Sequence, residues 1–148
     1  MLNTTNIGED YKMSEKVFYT DACCNRQYQI GSWAVIDGEK HYTGLIRGGN
    51  LRSSYCELYA INEALKIVGN CNAIIYNDNT CTNLLNREKE HIEKKINHSG
   101  FKDKQMLKEV YDLYCSSPNV KIKKASRKTV SIADYLARKT LKGALRNE

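Results

Sequence analysis

The first clear structural signal in the chain is the stretch Val17-Phe18-Tyr19-Thr20-Asp21-Ala22. Its alternating β-branched and aromatic residues are typical of a β-strand. On a strand, Val17, Tyr19 and Asp21 project from the same face, so a carboxylate ends an otherwise apolar row. A half-buried carboxylate is costly unless it is hydrogen-bonded, paired with a cation or bound to a metal ion. The rest of the chain is therefore expected to provide a partner for Asp21.

Two further strand patterns follow, at residues 30–37 and 41–47. The dipeptide Asp37-Gly38 between them is typical of a tight β-hairpin. Because the three strands are short and closely connected, we predict an antiparallel meander. Residues 1–14 are polar and show no period, so we expect a flexible tail followed by one domain over residues 15–148.

The second half of the chain alternates between helical and strand patterns. Leu58, Ile61, Leu65 and Val68 recur at helical spacing, and Gly69 marks the end of that helix. The predicted elements are a helix at 54–68, a strand at 73–78, helices at 79–97 and 106–115, a strand at 119–125 and a helix at 130–145. The predicted order is therefore β-β-β-α-β-α-α-β-α, an α/β arrangement.

Four acidic residues recur at similar places in these elements. Asp21 and Asp78 each end a predicted strand, and Glu57 and Asp134 each lie in the first turn of a predicted helix. Carboxylates that converge at one sheet edge repel one another, and a divalent cation relieves that repulsion. Oxygen ligands without thiols or imidazoles favour Mg²⁺ or Mn²⁺. The sequence thus predicts a site suited to two-metal hydrolysis of a phosphodiester.

Each acid also has a purely structural explanation. The stretches Ser54-Tyr55-Cys56-Glu57 and Ser131-Ile132-Ala133-Asp134 both match a capping box, in which the acid only satisfies a backbone amide. Asp21 and Asp78 can likewise stabilise turns that follow a strand. The joint order of the four acids favours the metal site, and the structural explanations stay open for each acid alone.

Composition restricts the remaining classes of function. The chain has 148 residues and a formal net charge of +6, which is compatible with a polyanionic partner. No apolar run approaches the roughly 20 residues of a membrane span, and no signal sequence opens the chain, so we expect a cytoplasmic protein without a membrane partner. The six cysteines form no CxxC pair and are expected to be reduced, with Cys23-Cys24 the pair most open to oxidation.

The chain resembles type 1 ribonuclease H and the wider ribonuclease H-like superfamily, over residues 16–141. The motifs that carry the resemblance are Phe18-Tyr19-Thr20-Asp21, Glu57-Leu58-Tyr59-Ala60-Ile61, Ile74-Ile75-Tyr76-Asn77-Asp78-Asn79 and Ile132-Ala133-Asp134-Tyr135-Leu136-Ala137-Arg138. The resemblance implies a ribonuclease H-like fold, in which helices flank a mixed five-stranded sheet of three antiparallel strands followed by parallel ones. It also implies Mg²⁺-dependent cleavage of the RNA strand of RNA·DNA hybrids. Asp21, Glu57 and Asp78 would be the core metal ligands, and Asp134 would complete the ligands of a second ion.

Two features depart from the family pattern. The glycine-rich turn that usually follows the first aspartate is replaced by Ala22-Cys23-Cys24-Asn25-Arg26. The loop before the last aspartate lacks the family's histidine, which is thought to help product release, and Arg127 is the candidate replacement. We therefore expect turnover to be affected more than bond breaking.

The resemblance also implies contact with the minor groove of a hybrid through phosphates and 2′-hydroxyls. The candidate substrate contacts are Asn25, Arg52, Ser53, Ser54, Asn79 and Arg127. Helix capping and loop solubility explain these polar residues equally well. A nuclease acting on a DNA junction or double-stranded RNA, and a catalytically silent nucleic-acid-binding module, remain alternatives. We expect a monomer.

Overall fold

The computed structural model describes residues 15–98 and 103–146, so the tail expected over residues 1–14 lies outside the described residues. The strands are β1 (Lys16–Asn25), β2 (Ile30–Asp37), β3 (Lys40–Arg47), β4 (Ala73–Asn77) and β5 (Val120–Lys124). The helices are α1 (Ser53–Val68), α2 (Cys81–Leu85), α3 (Lys89–Asn97), α4 (Lys104–Cys115) and α5 (Ser131–Arg146).

The strands form one mixed sheet in the order β3-β2-β1-β4-β5. β1, β2 and β3 pair antiparallel as a meander, and Gly38, in the hairpin between β2 and β3, has a positive φ of 59° that glycine adopts without strain. β4 lies parallel to β1, and β5 lies parallel to β4. The α/β fold and its mixed five-stranded sheet are therefore confirmed.

Helices cover both faces of the sheet. On one face, α1 packs against β1, β2 and β4, with α4 behind it, around a core that includes Phe18, Ile61 and Ile75. On the other face, α5 lies across β1, β2 and β3. The small residues Ala133 and Ala137 let this helix approach the sheet closely. α1 and α5 both start near the carboxyl end of β4, on opposite faces of the sheet.

β1 is longer than predicted, because Asp21 does not end it. Pairing with β4 stops at Tyr19, opposite Tyr76, but pairing with β2 continues to Asn25, opposite Ile30. Asp21 therefore lies inside the antiparallel pair, just beyond the last parallel pair. The β4 side of β1 is uncovered there, which opens the space that the neighbouring acids occupy.

The helix predicted over residues 79–97 was wrong as a single element. It is divided into α2 and α3, which Asn86 separates. The side-chain amide of Asn86 donates hydrogen bonds to the backbone oxygens of Thr82, at 3.0 Å, and Ile122, at 2.7 Å. These bonds hold the end of α2 against β5, so the chain turns before α3 begins. No helix in residues 15–98 and 103–146 combines the length and apolar character needed to cross a membrane.

Candidate functional site

Asp21, Glu57 and Asp78 meet at the end of β4. Each of the three offers a carboxylate oxygen, and these oxygens all lie within 4.8 Å of one another. β1 carries Asp21, α1 carries Glu57, and Asp78 is the first residue after β4. Asp21 is only 4% exposed and Glu57 is half-buried, so water has limited access to the cluster. The structure thus brings together three of the four acids that the sequence singled out.

Glu57 lies in the second turn of α1, not in the first turn as predicted. The helix begins at Ser53, and no side chain caps it. The capping box predicted for Ser54 and Glu57 is therefore absent, which removes the structural explanation for this acid. Glu57 instead faces the sheet, where it accepts a hydrogen bond from the side-chain amide of Asn77 at 3.4 Å.

Asp134 lies beside this carboxylate cluster, in the first turn of α5 as predicted. It shares a hydrogen bond with Asp21, and this bond adds to burial, the main cause that raises the pKa of Asp21. Its two carboxylate oxygens also accept from Nε of Arg138, at 3.0 and 3.1 Å. Arg138 was not among the predicted site residues, although its spacing of four residues from Asp134 on a helix is the usual signal for such a pair.

Burial and repulsion strongly raise the pKa values of two acids of the cluster, Asp21 and Glu57. Desolvation is the main cause that raises the pKa of Asp21 to about 7, and the charges of Asp78 and Asp134 add to it. Desolvation also raises the pKa of Glu57 to about 9, with the charge of Asp21 as the second cause. A divalent cation would remove both penalties, because it replaces lost water and neutralises the repulsion. The all-carboxylate donor set fits a hard ion such as Mg²⁺ or Mn²⁺.

Asn77 joins the elements of the cluster, and sequence analysis gave it no role. Its amide nitrogen donates to the backbone oxygen of Thr20 at 3.2 Å as well as to Glu57, and its side-chain oxygen accepts from the N–H of Asn79 at 2.7 Å. The residue is fully buried. An amide that ends an apolar strand was the available signal, because a buried amide needs several partners.

Arg127 lies next to the carboxylate cluster. Its Nε is 3.9 Å from an oxygen of Asp78, and its side chain is 85% exposed. An exposed cation held loosely at this distance can move towards a phosphate without a large energetic cost. The position is compatible with the predicted substitution of Arg127 for the loop histidine.

Asn25 and Asn79 make local backbone contacts. The side-chain oxygen of Asn25 accepts from the N–H of Tyr28 at 3.0 Å, which stabilises the turn after β1. The side-chain oxygen of Asn79 accepts from the N–H of Cys81 at 2.9 Å, at the start of α2. Both side-chain oxygens are therefore used in local turns, and contact of these residues with nucleic acid stays a prediction.

Arg52 and Ser54 are tied to Asp103, which sequence analysis did not single out. A terminal nitrogen of Arg52 lies 3.3 Å from one carboxylate oxygen of Asp103, and the hydroxyl of Ser54 donates to the other. Asp103 is buried and directly precedes α4. The two residues therefore fasten the start of α1 to the start of α4, while Ser53 between them is exposed.

All six cysteines are free. Cys23 and Cys24 face opposite sides of the sheet, as neighbours on a strand do, with Cys23 towards α5 and Cys24 towards α1. The thiol of Cys24 contacts the thiol of Cys56, whose pKa is raised mainly by burial. The thiol next to Cys24 is therefore that of Cys56, and the thiol of Cys23 lies on the other face of the sheet.

The sheet order, the helix on each face and the carboxylate cluster define a ribonuclease H-like protein. The family model described as RNase H matches residues 13–142, so the chain belongs to the RNase H family. This family and fold support an RNase H-like nuclease. No curated protein matches the chain significantly.

Solved structures of two kinds resemble the chain. Ribonuclease H1 from the halophilic archaeon Halobacterium salinarum NRC-1 is 15% identical, with a TM-score of 0.63 over 88% of this chain and 99% of that one. The native prototype foamy virus protease-reverse transcriptase is 16% identical, with a TM-score of 0.68 over 87% of this chain and 21% of that one. A foamy viral protease-reverse transcriptase in complex with an RNA/DNA hybrid gives the same identity and TM-score, over 87% of this chain and 20% of that one. At such low sequence identities, the TM-scores show that these proteins share the fold of this chain, and they show no more than that.

Proposed function

We propose that this protein is an endoribonuclease that hydrolyses the RNA strand of RNA·DNA hybrids with Mg²⁺ or Mn²⁺. The observation that carries the proposal is the meeting of Asp21, Glu57 and Asp78 within 4.8 Å, in a chain of the RNase H family. A similar structure described as a complex with an RNA/DNA hybrid supports nucleic acid as the partner.

The residues of the cluster would hold and orient the divalent ions. Asp21, Glu57 and Asp78 would provide the core ligands, and Asp134 would complete the ligands of a second ion. Divalent ions held by these residues would supply Lewis-acid chemistry, namely activation of a water and stabilisation of the leaving oxygen of the phosphodiester. The chain itself fixes the carboxylates beforehand, since the N–H of Ala22 holds Asp21 and the buried amide of Asn77 holds Glu57.

Cations close to the cluster would attract the substrate backbone. Arg127 lies beside Asp78, and we propose that it leaves that carboxylate to bind a phosphate and so assists turnover. Exposed lysines also lie on β5 and in the loop after it, namely Lys121, Lys123, Lys124 and Lys128, and Lys124 pairs with Asn77 at the end of β4, next to the cluster. Phosphate contacts of this kind set affinity and register without reading the base sequence. We also propose that the protein acts as a monomer in the cytoplasm, where its six free cysteines would stay reduced.

A cleavage assay with three substrates tests the proposal. Purified protein is incubated with a labelled RNA·DNA hybrid, an RNA duplex and a DNA junction, each with Mg²⁺ or with EDTA. We expect cleavage of the RNA strand of the hybrid, only with Mg²⁺. Cleavage of the junction or the RNA duplex alone would assign another nuclease activity to the same cluster, and binding without metal-dependent cleavage would leave a binding module.

Two variants make the assay specific for the cluster. Asp78→Asn should abolish cleavage and leave hybrid affinity nearly unchanged, because other groups hold the backbone. The matched control is Asp112→Asn, since Asp112 is an exposed acid on α4 that pairs only with Lys108 among the described residues. Full activity of the Asp78 variant would contradict the assignment.

A further inference from the structure

A basic groove runs along the exposed side of α5. It has a volume of about 440 Å³, and its described lining residues are Tyr135, Arg138, Lys139, Lys142, Gly143 and Arg146. All four cations are exposed, and Tyr135 as a whole residue is 61% exposed. Because none of these lining residues is acidic, the groove presents a positive surface.

Three of these cations have no acidic partner in the described part of the chain. Arg138 is held by Asp134, but Lys139, Lys142 and Arg146 form no ion pair with residues 15–98 or 103–146. Their spacing of three and four residues from one another and from Tyr135 places them on one side of the helix. An exposed aromatic ring and three unneutralised cations therefore line the same groove.

The lining of the groove starts at Tyr135, one residue after Asp134 and at the end of α5 nearest the carboxylate cluster, although none of the four acids is among its described lining residues. Asp134, the residue before Tyr135, is hydrogen-bonded to Asp21, and α5 then crosses from β1 over β2 to β3. At a rise of about 1.5 Å per residue, Arg146 lies roughly 18 Å along the helix from Asp134. At the rise of about 3.4 Å per nucleotide of a fully stacked strand this length accommodates at most about five nucleotides, and an extended single strand fills it with fewer.

We propose that this groove binds a single-stranded nucleic-acid segment that continues from a hybrid held at the carboxylate cluster. Lys139, Lys142 and Arg146 contact successive phosphates, and Tyr135 stacks on an unpaired base. Single strands fit this combination, because an exposed ring needs the face of a free base and a row of cations follows one backbone. The link to the hybrid rests on the function proposed above, whereas binding of the single strand does not.

The test measures fluorescence anisotropy of a labelled single-stranded DNA in EDTA, over a range of salt concentrations. The groove variant combines Lys139→Gln, Lys142→Gln and Arg146→Gln. The control variant removes the same charge at exposed lysines near the opposite end of the sheet, by Lys16→Gln, Lys40→Gln and Lys66→Gln. Since each phosphate contact contributes about 0.7 to the salt slope of a single strand, we expect the groove variant to lower the slope by about 2. Near 0.1 M salt its affinity should fall about 10- to 100-fold, with little change in the control.

Two further measurements identify the occupant. Tyr135→Ala should weaken single-strand binding about 5- to 10-fold, whereas Tyr135→Phe should bind almost as the wild type, because stacking needs the ring and not the hydroxyl. A hybrid with an overhang of about six nucleotides should bind the wild type more tightly than a blunt hybrid, and the groove variant should lose this difference.

The possible failures are distinguishable. Equal affinities and salt slopes for the groove and control variants would overturn the proposal. An equal loss of blunt and overhung hybrids would assign the groove to duplex backbone and overturn the single-strand assignment. Cleavage of the blunt hybrid by the wild type tests the proposed function separately, and its absence would leave the EDTA binding result intact.

Discussion

Replacing Asp21 with asparagine should stabilise the metal-free protein while removing its activity. Asp21 is almost fully buried, and its raised pKa means that the folded protein binds this proton more tightly than the unfolded chain. Ionisation therefore lowers stability as the pH rises from the unfolded value near 4 towards the folded value of about 7. Asparagine carries no charge, so the variant avoids this loss.

The structure gives the size of the effect. The pKa of Asp21 rises from 3.8 to about 7, and each pKa unit corresponds to about 1.4 kcal/mol of differential stability. At pH 8 in EDTA we expect Asp21→Asn to raise the free energy of unfolding by about 2–4 kcal/mol. At pH 4 the gain should shrink to about 0.5 kcal/mol, because the folded carboxyl is then neutral and the unfolded one, with a pKa of 3.8, is only partly ionised. The amide of the variant should keep these local bonds, because its oxygen can accept from the N–H of Ala22 and its nitrogen can donate to Asp134.

Urea unfolding at pH 4 and pH 8 measures this difference directly. Asp112→Asn serves as the control, because the exposed Asp112 carboxylate should leave no comparable pH-dependent gain. Mg²⁺ should stabilise the wild type and not the Asp21 variant, by the linkage between binding and folding. The reasoning is refuted if Asp21→Asn is less stable than the wild type at pH 8, or if its effect is the same at both pH values.

Three other changes have definite expected outcomes. Asn77→Ala should cost about 2–3 kcal/mol in urea unfolding, because the fully buried amide bonds Thr20, Glu57 and Asn79, and an unchanged stability would contradict that role. Arg127→Ala should slow multiple-turnover cleavage of the hybrid more than single-turnover cleavage, whereas Lys128→Ala should alter both equally or neither. Asp103→Ala should destabilise the protein by about 2–3 kcal/mol, because it leaves the half-buried Arg52 without its carboxylate, and single-turnover cleavage at saturating hybrid should remain within a few-fold of the wild type.

Sequence periodicity was sufficient for the sheet and for most element boundaries. The alternation in β1 and the Asp37-Gly38 turn predict the meander, because strand spacing and hairpin chemistry are local properties. The clustering of three acids was also predictable. The carboxyl ends of two parallel strands lie at the same end of the sheet, and a helix that starts over that end adds a third acid. The end of β1 was not, because residues 22–25 stay in the strand through pairing with β2, which is a tertiary effect.

The contacts that sequence analysis missed are those between distant parts of the chain. Asn86 divides a helix only because its amide bonds the backbone of β5, and Asp103 matters through Arg52, about 50 residues earlier. Neither partner lies within a turn of a helix or along one strand, so no local pattern reveals it. By contrast, the pair Asp134 and Arg138 follows i,i+4 spacing, and a closer inspection of charges on the predicted helix finds it.

Anomalous diffraction from crystals soaked in Mn²⁺ near pH 7 tests the central claim most directly. Mn²⁺ scatters strongly enough to be located without assumptions about its ligands. The account predicts an anomalous peak bonded to carboxylate oxygens of at least two of Asp21, Glu57 and Asp78, and no such peak in crystals of the Asp21→Asn variant. Peaks only elsewhere on the molecule, or a Glu57 side chain turned out to solvent, would contradict the metal site and the nuclease function derived from it.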